Sequence, residues 1–339
     1  MSQDARLGFG IGLAGCQAGL EALPLEEAMR TLARAEAAGL DGVWVNEEHL
    51  AGRMTGRVCW ATLPFLSYVA GRIPRIRLGS AALLLPLHHP LRLAEEIGSL
   101  CEFAPGRVCV GIAPNRPGPY AEAFGARTAD RARDFDDCLD ALVRLLKGDT
   151  IDITTEHHRG LAASSMVSPR IGPAFYRAAY SPGSLTAAAE AGMPLIQHYI
   201  QSPQSLLAGR EVYRKAAGDA AADLLARSPV HRFVVIGPTD HDAQRQADDQ
   251  ASRLTERLRA FGIDKRGFIT ETKSLDPARF ARETAIAGSP DTVLRRLADL
   301  AASTGTTTFN LNLGWMGAAT ADQIRTSANL LIEEVLPSL

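Results

Sequence analysis

The sequence predicts an α/β protein folded as a single (β/α)8 TIM barrel with insertions. Three observations lead there. Eight short apolar segments alternate with helical segments along 339 residues, the order that parallel strands and crossover helices produce. No G-x-G-x-x-G fingerprint follows the first apolar segment, which counts against an open dinucleotide-binding sheet. Barrels of this class need about 250 residues and tolerate insertions; no low-complexity linker divides this chain, so 1–339 reads as one domain.

Residues 7–13 (LGFGIGL) form the first strand, apolar and rich in glycine. Leu25, Ala28, Met29, Leu32 and Ala35 recur at helical spacing, giving a helix from Leu25 to Ala38 that stops at Gly39. Val43 to Val45 is a second buried strand. A helix over 60–71 leads to a long apolar strand ending at Pro86, then to a helix over 90–102 and a fourth strand over 107–113. A helix at 129–146 precedes an irregular stretch, 147–172. Strand 174–179, helix 183–191, strand 194–198, helix 203–217, strand 230–236 and helix 239–259 continue the alternation. Residues 260–288 interrupt it and read as an insertion. Helix 290–303, strand 306–313 and helix 321–334 close the chain.

Composition removes several functions. Lys plus Arg is 36 and Asp plus Glu 38, for a net charge of −2, and no basic stripe stands out, so nucleic acid is not the expected partner. No apolar run approaches the roughly 20 residues that span a bilayer. The start, MSQDARLGFGIGLAG, lacks the basic and apolar regions of a secretory signal, which points to the cytoplasm. Cys16, Cys59, Cys101, Cys109 and Cys138 are odd in number and lack CxxC spacing, so neither a disulfide framework nor a zinc site is expected. No histidines and acids show metal-ligand spacing.

A barrel carries its chemistry at the C-terminal strand ends. That rule selects Asn46 to His49, Ala81 to His89, Ala113 to Tyr120, Tyr180 to Ser184, Gln197 to Gln201 and Asn312 to Met316. Ser181-Pro182-Gly183-Ser184 lies between a strand and an alanine-rich helix, where unpaired N–H groups and the positive dipole end suit a phosphate. The same serines also suit a plain helix cap. Glu47 and Glu48 are adjacent and point opposite ways in an extended chain, so they make a poor glycosidase pair. The polar triplet Gln197-His198-Tyr199, ending an apolar strand, reads either as a hydrogen-bonded rim or as a substrate contact.

Four segments carry a family resemblance. They are GLDGVWVNEEH (Gly39 to His49), RLGSAALLLPLHHPLRLAEEIGSLCEFAPGRVCVGIA (Arg77 to Ala113), YSPGSLTAAAEAGMP (Tyr180 to Pro194) and GSPDTVLRRLADLAASTG near the end. In this order and spacing the chain resembles the bacterial luciferase-like flavin-dependent monooxygenases. The resemblance implies a cis peptide at Ala81-Ala82 supporting a flavin ring, and a phosphate turn at Ser181, Gly183 and Ser184. It also implies a phosphate-binding arginine near Arg116, which here stands one or two residues late. Glu48 occupies the position of the histidine credited with acid–base work, so light emission is not expected; Glu48, His49 and His198 are the candidates for protonation or substrate positioning. Reduced FMN from a separate flavin reductase is the implied cofactor, acting with dioxygen on a small-molecule substrate. Coenzyme F420 on the same fold, or a non-catalytic flavin-binding subunit, are the alternatives. A homodimer is implied by the resemblance alone.

Overall fold

The computed structural model describes residues 7–13, 20–49, 60–114, 123–125, 131–153, 161–197, 199, 201–260, 277–314 and 317–338. Its strands are β1 (Gly8–Leu13), β2 (Gly42–Val45), β3 (Arg77–Leu84), β4 (Val108–Ala113), β5 (Thr150–Ile153), β6 (Leu161–Ser164), β7 (Ala174–Ala178), β8 (Leu195–Ile196), β9 (Val230–Ile236), β10 (Ala285–Gly288) and β11 (Thr308–Asn312). Nine of them form one sheet in the order β10-β9-β11-β1-β2-β3-β4-β7-β8. Every pairing in it is parallel. An isolated parallel bridge from Gln197 to Val230 brings the end of β8 against β9, so the sheet curls back on itself. The eight strands expected from the sequence all lie in this sheet, wrapped by helices.

The alternation of each strand sorts its side chains. On β1, Phe9 and Ile11 are buried against the helix layer, as are Val43 and Val45 of β2 and Val108 and Val110 of β4. The intervening residues face the barrel lumen. There Trp44, Cys109, Tyr176, Ala178 and Ile196 form a second, smaller cluster against which Ala81, Ala82 and Ala113 pack. Trp44 meets Tyr176 edge to face at 5.2 Å and His231 at 6.2 Å, both in the range for favourable ring geometry.

Room for the indole comes from glycine. A Cβ on Gly79 would overlap the Trp44 ring, and one on Gly10 would stand 2.9 Å from Trp44 Cδ1. A Cβ on Gly12 would collide with the Asn312 amide oxygen. The glycine-rich first strand is therefore a requirement of lumen volume. Gly39, with φ 107°, ends the first helix, Leu25–Ala37, where a side chain would be strained.

Three features depart from the expected order of elements. The stretch 147–172, expected to be irregular, holds the antiparallel pair β5 and β6, with Thr150 opposite Ser164. A short helix, Ala221–Arg227, precedes β9 where no element was expected. The segment 260–288 ends in a helix, Pro277–Thr284, and in β10, which joins the sheet through Ala285 opposite Phe233. Four residues are too short a run to announce a strand by periodicity. Among the described residues no helix is long and apolar enough to cross a membrane.

Candidate functional site

At the C-terminal end of β2 the chain leaves the sheet after Val45, and Glu47 turns back toward β3. Its carboxylate is almost fully covered, with a side-chain exposure of 7%. It accepts a hydrogen bond from the Leu84 N–H at 2.6 Å. His88 Nε2 lies 2.8 and 3.0 Å from its two oxygens, and His49 Nε2 lies 2.8 Å from Oε1. The Glu47 N–H also donates to the Ala82 carbonyl at 3.4 Å. Burial works to raise this carboxyl's pKa, but the hydrogen bonds from His49 and His88, the His88 charge and the Leu84 amide together outweigh it and hold it at about 2. Glu47 is thus a buried anion clamped by two imidazoles.

Beside it runs the Ala81–Ala82 step. The peptide bond between these residues is cis, as the family resemblance implies, and the β3–β4 register slips between Ser80 and Leu83. Both alanines are partly buried and pack on the Trp44 cluster. Small side chains and an offset backbone thus lie beside Glu47 in the second half of β3.

Farther round the ring, two buried polar atoms lack partners. Asn312 Oδ1, at the end of β11, lies on the lumen side beside Gly12, and Gln197 Nε2, just past β8, lies on the helix side beside Gly209. The amide oxygen of Gln197, Oε1, accepts from Arg210 Nε at 2.9 Å. Deeper in the lumen, His231 contacts Asn310 Nδ2 at 3.2 Å. Burial, helped by the Arg232 and Arg210 charges, pushes the His231 pKa down to about 3, so this imidazole is neutral at physiological pH.

The turn before the helix Pro182–Glu190 is a reciprocal cap. Ser181 Oγ accepts from the Ser184 N–H at 3.3 Å, and Ser184 Oγ accepts from the Tyr180 and Ser181 N–H groups, both at 3.1 Å. Ser181 is exposed, Ser184 is half-buried, and open space surrounds Gly183. Capping and anion binding are compatible here, because the cap consumes the Ser184 N–H, Pro182 has none to offer, and the Gly183 N–H remains for an anion.

The structure brings Glu47, His49, Ala81 and Ala82 together. Glu48 sits next to them, partly exposed, beyond the end of β2. Arg116 and His198 lie outside the described residues, as do Trp315 and Met316. Two members of the cluster, Glu47 and His88, fall in the strand-end stretches selected from the sequence but were given no role there. A signal existed for the first, since Glu47 and His49 are two apart and share a side in an extended segment. Nothing local linked His88, which stands 41 residues on. Among the described residues no group of three metal-ligating side chains assembles.

A parallel barrel with a buried carboxylate–imidazole cluster and a kinked backbone step at its C-terminal strand ends has the layout of an enzyme scaffold. The chain belongs to the luciferase-like monooxygenase family, whose sequence profile matches residues 9–308. It is 26% identical over 260 residues to the Bacillus subtilis (strain 168) protein YvbT, which is uncharacterised; the match covers 72% of this chain and 70% of that one. It is also 26% identical to an alkanal monooxygenase alpha chain of Photorhabdus luminescens, over 62% of this chain and 57% of that one. Among solved structures it superposes on the oxygenating constituent of 3,6-diketocamphane monooxygenase from Pseudomonas putida, solved with FMN, at a TM-score of 0.75 and 19% identity. That alignment covers 98% of this chain and 99% of the other. The F420-dependent tetrahydromethanopterin reductase of Methanopyrus kandleri aligns at 0.71 and 18% identity, over 98% and 99% of the two chains. At these identities the likeness of the solved structures carries the fold.

Proposed function

We propose that this chain is the oxygenase component of a two-component monooxygenase. It takes reduced FMN from a separate flavin reductase and, with dioxygen, oxidises a small aldehyde, ketone or electron-rich ring. The observation that carries the reading is the Glu47–His49–His88 cluster set beside the cis Ala81–Ala82 step. The mouth fits a flavin in its own terms, since Asn312 Oδ1, on the lumen side at the end of β11, is a buried polar atom still lacking a partner. Ala81 and Ala82 would support the ring, and Ser181, Gly183 and Ser184, with Arg116, would hold the phosphate. Reduced FMN, when bound, supplies the electrons for oxygen activation.

The chain's own residues do the rest. Ionised Glu47 accepts the Nε2 proton of His49 and fixes its tautomer, so that proton exchange with substrate passes through Nδ1. His88 balances the same carboxylate from the β3 side and keeps it from taking a proton itself. Glu48 stands where luciferases have histidine, and it offers a second group for proton transfer. The lumen cluster around Trp44 closes the floor of the site and excludes water from it. We expect the active form to be a cytoplasmic homodimer.

The experiment is a titration of the purified chain with FMN, reduced FMN and F420, followed by turnover with a flavin reductase, NADH and a panel of aldehydes and ketones. Binding of reduced FMN and substrate-dependent oxygen uptake are expected. Tight F420 binding with no affinity for either form of FMN would replace the proposal by hydride transfer on the same fold. Flavin binding without any turnover would make the chain a non-catalytic subunit. Ser184→Ala should weaken FMN binding and leave riboflavin binding unchanged if the turn holds the phosphate.

A further inference from the structure

Two arginines are buried in the helix layer around β8 and β9, and they are treated very differently. Arg210, fully buried, donates to Gln197 Oε1 at 2.9 Å, to the Thr304 carbonyl at 3.0 Å and to the Ser228 carbonyl at 2.8 Å. It is a satisfied structural cation. Arg232, on the outward face of β9, is only 3% exposed. It makes one hydrogen bond, to the neighbouring His231 carbonyl at 3.2 Å, and its Nη2 is buried with no partner at all. No carboxylate pairs with it in any ion pair of the described residues. A buried guanidinium in that condition is costly and calls for an anion.

Arg232 lines a cavity of about 90 Å³ together with Arg282, Arg296, Glu283 and Pro203. Arg296 donates to the Ala285 and Ala287 carbonyls at 3.2 and 3.3 Å. This covers the outer edge of β10 and fixes its guanidinium beside the cavity. Arg282 is exposed and enters no ion pair among the described residues. The lone acid, Glu283, is already engaged by Arg279 at 2.6 Å. Pro203 opens the helix Pro203–Ala217, whose positive dipole end borders the same space. A water needs roughly 10–15 Å³ of such volume, so the cavity has room for several waters or for one tetrahedral oxyanion.

We propose that this cavity is a binding site for a small tetrahedral oxyanion, phosphate or sulfate, held by Arg232, Arg282 and Arg296. Guanidinium forks match such oxygens in geometry and charge. The elements that build it, β9, β10 and the helices Pro277–Thr284 and Pro290–Thr304, differ from those of the serine turn, so the site is separate from the proposed flavin-phosphate turn. Its occupant would tie β10 and the helix before it to the barrel wall.

The test is thermal unfolding of the full chain in sodium phosphate and sodium sulfate, against sodium chloride at matched ionic strength. A saturable rise of a few degrees is expected for the wild type. It should fall by at least half in Arg282→Ala, whose exposed side chain is dispensable for folding, and vanish in Arg232→Leu. Ser184→Ala should keep the full rise. The proposal is overturned if the wild type shows no saturable rise, if Arg282→Ala keeps all of it, or if Ser184→Ala abolishes it and so moves the anion to the flavin turn. Should Arg232→Leu fail to fold, Arg282→Ala decides. A phenyl phosphate arm separates sources: a rise equal to that of inorganic phosphate assigns the site to the phosphoryl end of a larger metabolite. No rise assigns it to the free anion, and both results support the oxyanion chemistry.

Discussion

Replacing Glu47 by glutamine keeps the shape of the side chain and removes one negative charge from between two imidazoles. Holding a carboxyl at about 2 in place of the ordinary 4.5 corresponds to about 3 kcal/mol, at about 1.36 kcal/mol for each power of ten in proton affinity. The side chain is only 7% exposed, so solvent screening takes little from this figure. The folded-state value lies below the unfolded one. The stabilisation is therefore complete above about pH 4.5 and disappears as pH falls toward 2. Chemical denaturation of wild type and Glu47→Gln at pH 7 and at pH 3 measures it. The variant should be less stable by about 2–3 kcal/mol at pH 7, and the gap should narrow at pH 3. A gap below about 0.5 kcal/mol at pH 7, or equal gaps at both values, would refute the reading of Glu47 as a buried, histidine-clamped anion.

Other positions give independent tests. Arg210→Met fills similar volume but strands the carbonyls of Ser228 and Thr304; calorimetry or denaturation should register a loss of about 3–5 kcal/mol. Gly79→Ala drives a methyl into the Trp44 ring and should cost about 1–3 kcal/mol, with a shift in tryptophan fluorescence that Gly172→Ala, in open space, does not produce. His231, held down at about 3, should show imidazole resonances that do not move between pH 5 and pH 8; a midpoint near 6.5 would contradict its place in the lumen. Because its folded-state value lies below the unfolded one, this histidine favours folding above pH 6.5 and opposes it progressively as pH falls toward 3.

Much of the architecture was legible in residue order because strand and helix periods are local properties. The strand over 230–236 and the helix over 203–217 fall where the apolar pattern puts them, since each buries a full face and carries clear stop signals. β10 was not legible. Its four residues, Ala285–Gly288, bury themselves by joining an edge of β9 that the sequence does not advertise. The β5–β6 pair was missed for a similar reason, because its two strands support each other and bury little against the barrel.

The site divides along the same line. Family motifs in the chain marked Ala81, Ala82, Ser181, Gly183, Ser184, Glu48 and His49, and the rule that barrels work at their strand ends selected the stretches that also hold Glu47 and His88. What the sequence alone determined is the alternation of elements, and through it the end of the barrel where chemistry belongs. Only the tertiary structure decided that Glu47 would be the buried charge, because that depends on His88 arriving from the turn after the next strand and on the Leu84 amide pointing at its oxygen. Equally, only the packed fold showed Arg232 stranded without a counter-charge while Arg210 is satisfied. A hydrogen bond is a relation between positions far apart in the chain, and its partners are set when the sheet closes.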